Sequence, residues 1–528
     1  MQPESVTVSM KLIRITFIIG ILFPVLLFIS CSSVPEIKQH TEKEYPDRTE
    51  RSKHSLVEIQ LQNILKKEEF NHTIPSIIVM SAEYGDTIFS HQSDLLVRPA
   101  STQKLITAAA ALKILKPEFN FRTVLYRTGD IRDGVLEGDI LIKGYGDPLL
   151  SMNDMKSMIE SLPLFGIRKI NGNVIIDDSY FDDVQWPTGW MWDDEPFAFA
   201  PYISALSVNS NVVTFSIERT IESDTSVSIR VLPPSAHIQY QFSAKQGIDH
   251  RNNEITILPD HTTSRNRYLI TGDFKNARLP RRFTVTVRDP SMFAGFLFLE
   301  KLNENGIDIS GSVLRGKKDD TSIPLVQMNT PIRLVLHAMN KDSDNLAAES
   351  VWKTISAELF GPPGTGDGGS RAIQKVMEQF GLFTTNARFA DGSGVSFYNL
   401  ITPRMLAELL YRVHEDPEIF KYFYESLAIL GVDGTLIRRG IHADARGRVR
   451  AKTGTLTGAS TLSGYIETIS GEKLIFAMMF QNFTLPTGRY RQIQDEICEI
   501  LIHFNREASV LTTPLRNASH ININHLPP

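Results

Sequence analysis

The chain has 528 residues, 42% hydrophobic and 22% charged, which argues against wholesale disorder and leaves room for about three domains at roughly 150 residues each. Lys and Arg total 55 against 60 Asp and Glu, a net charge of −5 with no basic stripe, so a dedicated nucleic-acid binder is not expected. Two cysteines supply neither a disulfide framework nor a cysteine zinc site.

Lys11 and Arg14 precede an uncharged run over 15–35, whose apolar heart is broken by Thr16, Gly20 and Pro24. A basic start followed by an apolar run is the layout of a secretory signal. Leu27-Phe28-Ile29-Ser30-Cys31 resembles a bacterial lipobox, with Phe28 where Leu is usual. The reading is a signal peptide at 1–30, a lipidated Cys31 and a polar tether over 31–55; an uncleaved membrane anchor competes for the same run. A cleaved soluble form is the third option; all three place the rest of the chain outside the cytoplasm, in the periplasm, and the lipoprotein reading anchors it by lipid to a bacterial membrane.

Residues 56–117 read as helix, strand pair and helix, with strands at 76–81 and 87–90 around Gly85-Asp86, then an Ala- and Leu-rich helix from Ser101 to Leu115. From 121 to about 315, short β-type runs alternate with turn signals, a β-rich block large enough for one or two domains. Helical texture returns at 331–360 and 370–380. Three strands at 448–456, 461–469 and 474–481 and a helix at 491–505 close the pattern, and 506–528 reads as a loose tail. The expected domains are a catalytic unit in two parts, 56–118 and 331–505, with a β-rich insertion at 119–330. The glycine-rich run 361–369 lacks the Gly-Lys-Ser/Thr ending of a phosphate loop and reads as a flexible loop. Cys498 sits at helical spacing among apolar residues, as a buried inert thiol would. His414-Glu415 begins like a zinc-protease helix, but the second His is missing and Pro417 interrupts it. No metal or cofactor is expected.

Three motifs stand in order: Ser101-Thr-Gln-Lys104, Ser343-Asp-Asn345 and Lys452-Thr453-Gly454. Ser-x-x-Lys alone is weak evidence, because Ser350–Lys353 and Ser470–Lys473 also fit it; both read as surface accidents. The chemistry of the three together is coherent. Residues three apart share a helix face, so Lys104 reaches the Ser101 hydroxyl. Serine needs a base, and burial plus a second cation at Lys452 would leave Lys104 neutral part of the time. Ser343 is placed to relay a proton to a leaving amine, Asn345 to hold Lys104 and the substrate amide, and Lys452 to face a substrate carboxylate. The backbone N–H groups of Ser101 and Thr455 would form an oxyanion hole.

This motif set marks serine β-lactamases and penicillin-binding proteins. The chain resembles the D-alanyl-D-alanine carboxypeptidase family S13, of the penicillin-binding protein 4 type. Pro99–Lys104, Met339–Asn345, Asp391-Gly-Ser-Gly394, Gly431–Gly434, Ala451–Gly454, Lys143–Pro148, Asn173–Asp178 and Gly189–Asp194 carry the likeness, over about 56–505. The interval between Ser101 and Ser343 matches that family's large insertion, which simple β-lactamases lack.

The resemblance implies an α+β fold: a split β-lactamase-like catalytic domain, an antiparallel sheet with helices, carrying a β-rich insertion. It implies a serine carboxypeptidase or D,D-endopeptidase acting on peptidoglycan peptides, with β-lactams as inhibitors. Ser101, Lys104, Ser343 and Asn345 are its catalytic candidates; Lys452, Thr453, Gly454, Thr455 and Asp194 are its substrate-binding candidates. In the family, the residue matching Asp194 reaches from the insertion towards the substrate's free amino group. A β-lactamase or esterase on the same fold is the alternative. Asp391-Gly-Ser-Gly394 also reads as a simple tight loop, and Trp186, Trp190, Trp192, Phe197 and Phe199 as core.

Overall fold

A computed structural model describes residues 56–506, apart from 196, 221–222, 244–254, 264–265, 275–276 and 440–442. The expected signal peptide, Cys31, the tether and 507–528 of the expected tail lie outside the described residues.

β-Branched and aromatic runs from both ends of the chain meet in one antiparallel sheet. Its order is Ala428–Ile429, Val449–Leu456, Ala459–Glu467, Lys473–Gln481, Ile74–Ser81 and Thr87–His91. Successive side chains on a strand face opposite ways, and the two faces bury different sets. Ile77, Val79, Met478 and Phe480 pack in the cluster shared with helices Leu56–Ile64 and Thr487–Ile502. Ile78, Met80, Ala477 and Met479 pack in the other, with helices Gln103–Leu115, Ile332–Lys341, Asn345–Phe360 and Pro403–His414. The last helix starts and ends a few residues earlier than its periodicity predicts.

The chain leaves this layer on Asn120–Arg127 and returns on Ile323–Pro331, and these two strands pair antiparallel, Asn120 opposite Pro331. They belong to a five-stranded sheet; among the described residues, one four-stranded and two three-stranded sheets make up the rest of the β-rich region. Its core includes the fully buried Phe293, Leu297 and Phe298 of helix Pro290–Glu304. The result is the expected α+β architecture, a split sheet-and-helix unit with a large β-rich insertion.

Three local expectations fail. The glycine-rich run is a loop only in its first half: Gly366–Gln379 is a helix, capped by Thr365 Oγ1 accepting from Gly368 N at 2.9 Å. Its glycines permit close helix packing, since a Cβ on Gly369 would meet the Trp352 indole at 2.3 Å and one on Gly368 would meet Ser356 Oγ at 2.0 Å. Ser350 and Lys353 are buried rather than at the surface. Lys353 Nζ donates to Asp182 Oδ1 at 2.5 Å and Val184 O at 2.6 Å, so the buried charge is paired and ties the catalytic helix to the insertion. Arg506, expected in the loose tail, is held by ion pairs to Asp86 and Glu472.

Candidate active site

Ser101 does not open an α-helix as predicted. Ala100–Thr102 is one 3₁₀ turn, and the α-helix Gln103–Leu115 follows it. Ala100 has a φ of 48°, a left-handed conformation uncommon for a residue with a Cβ. The surroundings hold that strain in place. Pro99 O accepts from Thr102 Oγ1 at 2.6 Å and from Thr461 Oγ1 at 2.8 Å. Gly394 lies so close that a Cβ there would sit 1.9 Å from Ala100 O.

The i,i+3 spacing brings Lys104 Nζ to 2.9 Å from Ser101 Oγ. Its other partners are Asn345 Oδ1 at 2.5 Å and Ser393 O at 2.8 Å. Asn345 Nδ2 donates to Phe199 O at 2.6 Å, which fixes the amide with its oxygen towards Lys104. Both of these partners accept only, so a neutral Lys104 spends its two N–H groups on them and turns its lone pair to the Ser101 hydroxyl. The side chain is fully buried, and burial lowers its pKa to about 8, opposed by Asp391, Glu349 and Asp344.

Asp391 and Glu349 lie beneath it, and sequence reasoning missed their part. The Asp391 carboxylate accepts from Trp190 Nε1 at 2.8 Å, Ser396 N at 2.6 Å, Ser393 Oγ at 3.3 Å, Gly394 N at 2.8 Å and Asn399 Nδ2 at 2.7 Å. The tight-loop reading of Asp391–Gly394 is correct as far as it goes; the loop also presents the Ser393 carbonyl to Lys104. Glu349 Oε1 accepts from Ser393 N at 2.8 Å, and burial followed by the nearby Asp391 raises its pKa. The available signal for Glu349 was an acidic residue on the apolar face of helix Asn345–Phe360.

Lys452 is fully buried, and its Nζ donates to Ser343 Oγ and to Thr453 O, each at 2.8 Å. Burial, then Lys104, push its pKa well down. Its Nζ stands behind Ser343, where the sequence reading expects it to face a substrate carboxylate. Ser343 has a φ of 64°, a second left-handed residue at the site. A cavity of about 470 Å³ is lined by Ser101, Ser343, Asn345, Thr453 and Thr455 among others.

Leu430 N donates to Val449 O at 2.9 Å, and the short strand Ala428–Ile429 pairs no further along its neighbour than Ala451. Backbone groups alternate sides along a strand, so Thr453 and Thr455 aim theirs at that same edge, beyond the end of the short partner. Gly454 is where strand and nucleophile turn touch: a Cβ on it would lie 2.9 Å from Ser101 N and 2.1 Å from Thr461 Oγ1.

Asp194 lies in the 3₁₀ turn Trp192–Asp194, where its Oδ2 accepts from Met191 N at 3.2 Å; partial burial raises its pKa. Its carboxylate is not among the cavity-lining groups, whereas Phe199 on the same segment is. The core reading of the aromatic cluster holds for Trp190, against which Trp186 packs edge to face. It fails for Trp192, Phe197 and Phe199, which are 80%, 54% and 49% exposed. Apolarity alone predicted burial, but the bond from Asn345 to Phe199 O holds this segment on the cavity rim.

Among the described residues no cluster of His, Cys, Asp or Glu could hold a metal ion. Burial pushes the Cys498 thiol up to about 12, consistent with an inert core residue.

Comparison with known proteins agrees with this geometry. The chain is 28% identical to the D-alanyl-D-alanine carboxypeptidase DacB of Haemophilus influenzae over 411 residues, 77% of this chain and 85% of that protein. It is 30% identical to a D-alanyl-D-alanine carboxypeptidase of Actinomadura sp. over 460 residues, 84% of this chain and 83% of that protein. The crystal structure of penicillin-binding protein 4 from Haemophilus influenzae matches with a TM-score of 0.76 at 25% identity, covering 84% of this chain and 99% of that one. The model of the D-Ala-D-Ala carboxypeptidase 3 (S13) family matches residues 57–503, and with Ser101 and Asn345 lining one cavity and Lys104 bonded to both, the chain belongs to that family.

Proposed function

We propose that the chain is a serine D-alanyl-D-alanine carboxypeptidase that trims peptidoglycan stem peptides through an acyl-enzyme on Ser101. The observation that carries this reading is the bonding of Lys104: two acceptor-only partners and one hydroxyl, in a site that lowers its pKa to about 8. Lys104 takes the Ser101 proton as Oγ attacks the carbonyl of the penultimate D-alanine. The oxyanion lies between the N–H groups of Ser101 and Thr455. As the amide C–N bond breaks, the Ser343 hydroxyl passes its proton to the departing D-alanine amine and takes one in turn from Lys452 Nζ, which donates to its Oγ; in the hydrolysis that follows, Lys104 returns its proton to Ser101 Oγ and the proton released by water recharges Lys452. Asn345 holds Lys104 in register, and the Thr453 hydroxyl and Gly454 shape the strand side of the cavity. Asp194, on the rim segment, would contact the substrate's amino-bearing side chain. Water then hydrolyses the ester. A β-lactam acylates the same serine but keeps its leaving amine tethered, so it inhibits.

Digesting purified muropeptides and weighing the products tests this. Loss of one terminal D-alanine is the expected result, and splitting of crosslinked dimers would add endopeptidase action. Intact muropeptides together with rapid penicillin turnover would overturn the reading in favour of a β-lactamase.

The contact at Gly454 makes a second expectation. Gly454→Ala should push the Ser101 turn away from the strand and slow acylation by labelled penicillin about 10–100-fold, with a stability cost of about 1–3 kcal/mol typical of overpacking. Acylation at the wild-type rate would show that the turn tolerates the added methyl.

The basic start, the apolar run and Ser30-Cys31 support export and a lipid on Cys31, which would tether the enzyme to a bacterial membrane beside its substrate. Cys31→Ala should then move the protein from the membrane to the soluble fraction. Identical fractionation of the two would contradict lipidation.

A further inference from the structure

We propose that Arg491 holds the terminal carboxylate of the substrate; this rests on the carboxypeptidase reading above. A D-alanyl-D-alanine end carries its carboxylate one residue beyond the attacked carbonyl, about 3.8 Å from Cα to Cα. Donors that face the cavity close to the oxyanion site would hold it, and a cation holds it most strongly. Lys452 does not meet that need, because its Nζ is buried and bonded to Ser343 Oγ and Thr453 O.

Two guanidinium groups line the cavity, those of Arg439 and Arg491. Arg439 is already committed. Its Nε donates to Asp495 Oδ1 at 2.8 Å, and its Nη2 to Arg491 O at 2.9 Å and Gln494 Oε1 at 3.2 Å. Arg491 is exposed and donates from Nη2 to Thr455 Oγ1 at 3.2 Å; among the described residues it forms no ion pair. Asp342 also lines the cavity, but no ion pair joins it to either guanidinium.

Thr455 is the residue whose backbone faces the reacting carbonyl, so its hydroxyl and the Arg491 fork stand one side chain from the reaction. A guanidinium offers two parallel N–H groups matched to a carboxylate, and the Thr455 hydroxyl adds a third donor. The helix that carries Arg491 is anchored. Tyr490 is buried, with its hydroxyl donating to Glu69 O at 3.0 Å, and Arg439 grips the Arg491 carbonyl. Arg439 is thus a positioning residue, and Arg491 selects for a free carboxylate end.

The test compares acylation of the full chain by a labelled penicillin, which bears a carboxylate, with acylation by its methyl ester, in wild type, Arg491→Gln and Arg491→Lys. For Arg491→Gln the free acid should react about 10–100-fold more slowly, the size expected for losing a charge-assisted hydrogen bond, while the ester reacts as with wild type. Arg491→Lys should recover part of the loss with the free acid only. Equal slowing of acid and ester, or no slowing of the acid, overturns the proposal. If neither compound labels the wild type, the serine-acylation reading itself has failed and this proposal falls with it.

Discussion

Lys104→Ala is expected to slow acylation of Ser101 by about 10²–10⁴-fold, the contribution of a positioned general base. The wild-type rate should also carry the signature of this lysine in its pH dependence. With the Lys104 pKa lowered to about 8, its neutral form is a minor species at neutral pH and becomes the major one above about 8. The acylation rate should therefore climb with pH through neutrality and level off on the alkaline side. Lys104→Ala should lose the climb as well as the rate. A flat profile in the wild type, with chemistry shown to be rate-limiting, would mean that another group takes the serine proton.

The second large effect is at Asp391, a carboxylate with five hydrogen bonds and almost no exposure. Asp391→Ala strands five buried donors, and breaking a buried polar network of this kind costs about 3–5 kcal/mol. Denaturant unfolding should show that loss, with Ser101 chemistry impaired because the Ser393 carbonyl is no longer fixed. Asp391→Asn is the sharper variant. Asp391 is the foremost of the carboxylates that raise the Lys104 pKa, so neutralising it removes support for the charged form and lowers that pKa further. The alkaline rise in acylation should then shift to lower pH. A profile that stays in place would mean that Asp391 acts on the loop alone.

The parts of the site that were legible in the sequence are those that depend on short spacing. Ser101 and Lys104 meet because they are three apart, and Ser343 and Lys452 were identified because tripeptides of fixed order surround them. The three-stranded end of the sheet was equally readable, since alternation and the turn at Ser470-Gly471 are local. What sequence reasoning missed depends on what the fold brings close. Lys353 looked like a surface residue because its partner Asp182 lies far away in the insertion. Gly366–Gly369 looked like a loop because composition does not reveal that Trp352 crosses there. Trp192, Phe197 and Phe199 looked like core because hydrophobicity alone does not show that they stay exposed, Phe199 with its carbonyl accepting from the Asn345 amide at the cavity. Arg491, without a motif, drew no attention because its place on the cavity is a tertiary fact.

The most direct measurement is to label the protein with penicillin, digest it and map the adduct by mass spectrometry. A single penicilloyl group is expected on the peptide that contains Ser101, absent from Ser101→Ala and much slower to form in Lys104→Ala. An adduct on any other residue, or undiminished labelling of Ser101→Ala, would contradict it.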